Sequence, residues 1–331
     1  MDKVDGVDKM DKVDRVDRGN IDLQRVRLVA IAGPTALGKS EIAVQLAECF
    51  GGEILNVDSM QVYRGLDVGT GKPGPDLCAR IPHHLLDLAD PWEEFNASRF
   101  ASAGELVLRD VLARGRLPIL CGGTGLYFRA LLEGFFDAPS PPKEIRETLE
   151  RQYRTEGLGP LRERLEAIDP EWAKRILPQD ARRTIRALEV YETTGQKPSD
   201  LQKDQEAKPW LKRTLMLGVQ APWPVVDQRI EERVERMFRD GILREAEWLA
   251  GMGGGSRTVR QAIGYKEIFP YLRGEITLNQ AKIDLKSATR RFARRQMTWF
   301  RHQTKAIWLE NTDLENMKKK IREFLAFEKQ M

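Results

Sequence analysis

The chain has 331 residues, 41% of them apolar, enough to bury a sizeable core in one large or two medium domains. No uninterrupted apolar run approaches the roughly 20 residues that cross a bilayer, and the charged N-terminus lacks the apolar centre of a signal peptide, so a cytoplasmic protein is expected. A formal charge of +4 does not by itself announce a nucleic-acid partner, and three scattered cysteines, Cys49, Cys78 and Cys121, fit neither a disulfide framework nor a zinc site; they read as buried small apolar side chains.

Residues 1–24 open on "MDKVDGVDKMDKVDRVDRGN", Val-Asp-Lys/Arg units of alternating charge with no periodic apolar face, the composition of a disordered leader. From 25 to 136, the apolar runs "VRLVAIAG", "GEILNVDS" and "RLPILCGG" alternate with helix-like stretches such as "ASRFASAGELVLRDVLARG". This alternation predicts an α/β fold, a P-loop NTPase-like parallel sheet flanked by helices, with functional loops at the carboxyl ends of the strands. The proline cluster of "FFDAPSPPKEIRETLE" breaks the pattern, and 137–205, rich in Arg, Glu and Leu at helical spacing, read as an all-helical insertion domain. Within it "DARRTIRALEVYETTG" has Asp180 as its N-cap, Ile185 and Leu188 on one side, and a stop at Gly195 with Pro198 beyond. Residues 206–315 return to the core through the strand "RTLMLGVQ" and the amphipathic helix pair "DQRIEERVERMFRDGILREAEWLAG", then run into basic helices; 316–331 read as a helical tail.

"GPTALGKS" matches G-x-x-x-x-G-K-[ST] between a strand and a helix. Gly33 and Gly38 let the backbone of Pro34, Thr35, Ala36 and Leu37 wrap a phosphate group, Lys39 adds a point charge, and the Ser40 hydroxyl can ligate Mg2+. The motif specifies a polyphosphate and not a reaction. Asp58 ends the next apolar strand, where it can either contact the metal or act as a general base facing the phosphates. Thr70 and Lys72 lie in a second Gly-rich loop, "DVGTGKP", for which a phosphate contact and a plain surface turn fit equally. His83 and His84 are adjacent on a strand and point to opposite faces, which suits structural hydrogen bonds better than chelation. Thr124 emerges beside the phosphate loop if its strand neighbours the first one, and its hydroxyl suits steadying a leaving oxygen.

Basic side chains cluster towards the end of the chain. From Lys286 to Lys305, "KSATRRFARRQMTWFRHQTK" carries seven Lys or Arg and no acid, the footprint of a surface that meets phosphates, although such a run also describes a solvated helix face. Phe292, Gln296 and Trp299 form one helical stripe there and read as core anchors, while Arg294 and Arg295 lie away from it, free to grip RNA phosphates. Arg229 and Arg233 lie four apart on another helix face.

Together "GPTALGKS", "DSMQVYRGLDVGTGKP", "PHHLLD", "GGTGLYFRALLEG", "QDARRTIRALEVYETTG", "RVERMFRDGI", "QAIGYKE" and "TRRFARRQMTWFR" resemble the tRNA dimethylallyltransferase, or tRNA isopentenyltransferase, family, in the family's order and over nearly everything after residue 25. The resemblance implies a P-loop protein that is not an NTPase: the loop holds the diphosphate of dimethylallyl diphosphate while the dimethylallyl group passes to N6 of the adenosine 3′ of the anticodon. It implies Asp58 as general base, Thr124 as partner of the leaving diphosphate, Arg233 as an added clamp and Mg2+ at Ser40. It implies contacts with the tRNA anticodon stem-loop at Asp58, Ser59, Met60 and Gln61, at Arg146, Arg182, Arg183 and Arg186, and at Gln261, Gly264, Tyr265 and Lys266. Leu37 departs from the family's usual small residue; its backbone N–H is unchanged, so phosphate binding should survive while the loop's packing differs. A monomer is expected. The alternative is a P-loop phosphotransferase or NTPase using ATP, with Asp58 on Mg2+; a third reading is an RNA-binding protein with a vestigial loop.

Overall fold

A computed structural model describes residues 26–134, 141–203 and 208–326; the expected leader and the end of the tail lie outside them. The described chain divides into two compact units, residues 1–132 with 209–331, and residues 133–208.

The first unit opens with β1 (Leu28–Ala32), α1 (Lys39–Phe50), β2 (Gly52–Val57), α2 (Pro75–Arg80), β3 (His83–His84), α3 (Ala97–Ala113), β4 (Leu117–Gly122) and α4 (Gly125–Leu132). Every residue of β1 and β2 is buried, and a strand covered on both faces needs the unbroken apolar run that "LVAIA" supplies. Helix α3 starts where the Asn96 side chain accepts the Arg99 N–H, which satisfies one of the donors that a helix start leaves without an internal partner.

The second unit is helical: α5 (Lys143–Glu156), α6 (Gly159–Ile168), α7 (Pro170–Arg175), α8 (Ala181–Thr194) and α9 (Pro198–Lys203). Leu149, Leu161, Leu165, Ile176 and Leu188 form its core. The buried Asp169 carboxylate joins two helix starts, accepting from Trp172 N at 2.9 Å and Ser199 N at 2.8 Å. Helix α8 runs as the sequence predicts, capped by Asp180, whose side chain accepts the Arg183 N–H, and closed by Gly195 at φ 70°.

The chain re-enters the first unit through β5 (Thr214–Gln220), followed by α10 (Trp223–Asp240), α11 (Ile242–Gly251), α12 (Arg257–Arg260), α13 (Tyr265–Leu272), α14 (Leu278–Gln303), β6 (Ile307–Glu310) and α15 (Leu314–Ala326). All six strands are parallel, in the order β3-β2-β4-β1-β5-β6. The four longer strands are those read from the apolar runs. The two edge strands, of two and four residues, are too short to show a period and exist through pairing with distant partners.

Helices α10 and α14 run antiparallel and are joined by a ladder of opposite charges. Lys282 reaches Glu235 at 2.7 Å, Lys286 bridges Glu231 at 2.7 Å and Glu235 at 2.9 Å, Arg290 pairs with Glu231, and Arg294 approaches Asp227 at 3.9 Å. Within the basic run, Lys286 and Arg290 are therefore paired, and Arg294 approached, by acids of a helix some fifty residues away in sequence. Arg294 also lies over the Trp223 ring and Arg301 over the Trp308 ring.

Candidate active site

Sheet register brings three strand ends to one level. Ala32 of β1 pairs with Gly122 of β4, which pairs in turn with Val57 of β2. The next residues out are Gly33, which opens the phosphate loop, Gly123, which precedes Thr124, and Asp58. The neighbouring of β1 and β4 on which the Thr124 reading depended is thus present. No side chain fits at Gly122, where a Cβ would collide with the Val57 carbonyl, so the β2 and β4 ends approach closely.

The phosphate loop turns through left-handed backbone at Ala36 (φ 68°) and Gly38 (φ 74°) and delivers the chain into α1 with Lys39 as its first residue. The first-turn N–H groups of α1 have no preceding carbonyls within the helix, the arrangement that lets a helix start receive an anion. Lys39 Nζ folds back onto the Pro34 carbonyl at 2.7 Å. Burial pushes its ammonium down to about 8, against the pull of Cys121 and Asp58. Leu37 points inward and is fully buried, anchoring the loop in the core through a side chain that the usual small residue would lack.

Asp58 closes a tight turn on itself: Oδ1 accepts from Met60 N at 2.9 Å and Gln61 N at 3.4 Å. Oδ2 accepts no hydrogen bond among the described residues. Thr124 is aimed by the same turn, since Ser59 N donates to its Oγ1 at 3.0 Å. The Thr124 proton is committed to Ser59 Oγ at 3.4 Å, well beyond the optimum of about 2.7 Å for such a bond, so it can be redirected to a better acceptor.

Arg233 projects from α10 and donates to the Thr70 carbonyl at 3.3 Å. Its guanidinium lies against Gly71, at φ 63°, where any Cβ would collide with it. Burial lowers the Arg233 pKa and the Asp58 charge raises it, which places the two in one electrostatic field. The Gly-rich loop is therefore the wall on which Arg233 rests. Thr70 spends its hydroxyl on Leu66 O, and Lys72 pairs with Asp67 and Asp87.

Two residues that sequence reasoning did not assign to the site hold these loops. Glu245 of α11 accepts from Asp67 N, Val68 N and Gly69 N at 2.7, 2.8 and 2.7 Å and from the Tyr265 hydroxyl at 2.6 Å. Nothing in sequence distinguishes it from a solvated acid on an amphipathic helix. Gln296 of α14, buried, bridges the phosphate loop and the Thr124 loop; a lone amide in the apolar stripe Phe292–Gln296–Trp299 was its available signal. Trp299 packs against Gly125, as an anchor would.

The expected RNA contacts divide. Ser59, Met60 and Gln61 stand at the site, although Gln61 Nε2 is spent on Gly71 O at 3.1 Å. Gln261 and Lys266 are exposed. Gly264 and Tyr265 are buried: Tyr265 donates its hydroxyl to Glu245 and Gly264 N donates to Glu267 at 2.9 Å. In the second unit Arg146 and Arg186 pair with the buried Glu189 at 3.0 and 3.2 Å, Arg183 pairs with Asp180, and Arg182 is exposed. Arg294 and Arg295 are exposed on α14 and, with Thr298, Trp299, His302 and Gln303, line an open depression of about 490 Å³. His83 and His84 bond to Ile81 O and Glu53, in keeping with structural roles. Cys121 is buried, its thiol pushed up to about 11, but Cys49 is exposed, contrary to the expectation for all three cysteines.

The fold and the site define a P-loop-like α/β protein in which a carboxylate and a hydroxyl stand at strand ends beside a glycine-bracketed loop. Residues 26–81 match a family model described as isopentenyl transferase, and residues 61–303 one described as IPP transferase. A tRNA dimethylallyltransferase of Geobacillus thermodenitrificans is 42% identical over 91% of this chain and 96% of its own length; one from Anaeromyxobacter dehalogenans is 45% identical over 86% and 95%. Among solved structures, the tRNA isopentenylpyrophosphate transferase of Bacillus halodurans is 37% identical over 92% of this chain and 98% of that one, with a TM-score of 0.68. A eukaryotic dimethylallyltransferase acting on tRNA is 30% identical over 91% and 78%, with a TM-score of 0.76. The chain belongs to the IPP transferase family.

Proposed function

We propose that the protein transfers a dimethylallyl group from dimethylallyl diphosphate to N6 of the adenosine 3′ of the anticodon in tRNA, giving N6-dimethylallyladenosine and diphosphate. The observation that carries this reading is the common level of the phosphate loop, Asp58 and the Thr124 loop at three adjacent strand ends. The relatives, named as tRNA dimethylallyltransferases, do not favour the ATP-dependent phosphotransferase alternative.

The chemistry asks for three things. The N6 lone pair is delocalised into the adenine ring, so attack gains from a carboxylate that takes the proton as the C–N bond forms; Asp58 Oδ2 has the free lone pairs for it, while Oδ1 keeps the turn in place. The allylic C–O bond breaks with its electron pair leaving on diphosphate, and Thr124, Lys39 and Arg233 supply hydrogen bonding and positive charge in a shielded site, where such interactions are strongest. The base must also leave its stack, at a cost of roughly a few kcal/mol that an anticodon loop makes smaller. Exposed Gln261, Lys266, Arg182 and Arg183 offer phosphate and base contacts for the stem-loop.

Mg2+ belongs to the same reading. The Ser40 hydroxyl, at the start of α1, is the residue that would hold it beside the phosphate loop. When bound it offsets charge on the departing diphosphate.

No helix among the described residues is long and apolar enough to cross a membrane, and the reading carries with it a cytoplasmic setting and a monomeric working state. Incubation with radiolabelled dimethylallyl diphosphate and unmodified tRNA should place label on that adenosine, with diphosphate released. Label absent from tRNA together with ATP turnover would instead establish the phosphotransferase.

A further inference from the structure

We propose that Gln296 is a positioning residue of the transfer reaction, a tether that fixes the phosphate loop against the Thr124 loop; this rests on the dimethylallyl-transfer reading above. Its side chain is 6% exposed and uses both ends of its amide. Oε1 accepts the N–H of Thr35 in the phosphate loop at 2.9 Å, and Nε2 donates to the carbonyl of Gly123 at 2.8 Å. The two partners fix the orientation, since turning the amide over would set oxygen against a carbonyl and NH2 against an N–H.

The two bonded backbone groups come from the loop that would bind the diphosphate and from the loop that carries the hydroxyl meant for its leaving oxygen. A bond between them sets the separation of the two halves of one leaving-group site. Water could satisfy each group, but it could not hold that separation. Space around the tether is just as specific: a Cβ on Gly123 would collide with the Gln296 amide nitrogen, and the next nearest heavy atom outside Gln296, the Gly33 carbonyl oxygen, would lie at an ordinary 3.6 Å. Gly123 is therefore glycine because of Gln296, and the two positions form a testable pair.

Gln296→Met keeps the length and removes both bonds. With the tether lost, the hydroxyl and the cradle drift apart by a fraction of an ångström to about one, and misplacement of that size costs up to about 10²-fold in rate. The expected result is a kcat lowered by roughly 10- to 10²-fold at saturating donor and tRNA, with the KM for tRNA within about twofold of wild type. Gly123→Ala, which displaces the amide from the other side, should show the same split. Adding Gln296→Ala to it removes the collision, so the double variant should be no worse than Gln296→Ala alone, a non-additivity expected of directly coupled residues. Melting temperature is followed in parallel. A Gln296→Met protein that melts lower but keeps kcat and both KM values within about twofold would overturn the proposal, as would losses for Gly123→Ala and Gln296→Ala that simply add; if Gln296→Met does not fold, the Gly123 series decides. Binding of inorganic diphosphate by calorimetry separates the two readings. If wild type does not prenylate tRNA, the transfer reading fails; unchanged diphosphate binding in Gln296→Met would then also overturn the tether, and weakened binding would support it.

Discussion

Arg233 on α10 reaches the backbone of a neighbouring loop and is shielded by it, whereas Arg183 on α8 is 70% exposed and pairs with the Asp180 carboxylate of its own helix cap. The same side chain serves two economies of charge. A shielded guanidinium gives up hydration on folding, and Arg233 regains part of that loss from the Thr70 carbonyl and the Asp58 charge, so it is weak evidence for stability. An exposed pair is worth about 0–1 kcal/mol and is readily traded for an RNA phosphate. On the proposed function, charge near the sheet serves the chemistry and charge on α8 the attachment of tRNA.

The sharpest way to break that distinction starts from Asp58. Asp58→Ala should lower transfer by about 10²-fold or more, as expected for lost general-base catalysis, while tRNA affinity changes far less. Asp58→Asn keeps an oxygen for the Met60 and Gln61 N–H groups, so it should fail almost as badly if proton removal is the role; near-normal single-turnover rates for Asn would reduce Asp58 to a turn former. Arg233→Lys retains charge but loses the planar fork that spans the loop, and should cost on the order of 10² in kcat with little change in tRNA binding. Stopped-time assays at saturating tRNA measure it, and a loss confined to tRNA KM would erase the contrast with α8.

Arg182→Ala combined with Arg183→Ala should act the opposite way. Affinity for tRNA should fall several-fold, and the slope of log affinity against log salt should become shallower by about one to two units, read by filter binding across a salt series. An unchanged slope would return α8 to a structural role. The smallest effect concerns the ladder between α10 and α14. Lys282 and Lys286 hold Glu235 down to about 2 from its usual 4.5. A depressed carboxylate stabilises the fold above its unfolded value and loses that contribution as pH falls from about 4.5 towards 2. The pair is partly exposed, so the loss is at most about 1 kcal/mol; Glu235→Gln should flatten this part of the acid melting curve, followed by circular dichroism.

Much of this site was legible because its parts are backbone-driven. A glycine-bracketed loop between apolar runs, an acid at the end of a second run and a hydroxyl after "CGG" all announce strand ends, and parallel sheets put functional residues there. The residues that align those parts were not legible. Glu245 and Gln296 act on N–H and carbonyl groups far away in sequence, and only the folded chain shows which backbone groups lack a partner. Tyr265 shows the same limit: its motif does not tell that its ring is buried and its hydroxyl bonds to Glu245. The pairing of Lys286 and Arg290 on α14 was hidden too, since the acids that oppose them sit on another helix. The edge strand β6 was hidden by its brevity and by its dependence on β5.

The ladder has one more consequence. Its rungs recur every four residues on both helices, at 282, 286, 290 and 294 against 235, 231 and 227. A slide of α14 by one turn, about 5.4 Å, would therefore find nearly the same partners again. Repeating charges attract without giving an address. The address comes from what does not repeat, the single buried amide of Gln296 and the Trp299 indole seated on Gly125, so the residue that ties the two loops together also tells the longest helix where to stop.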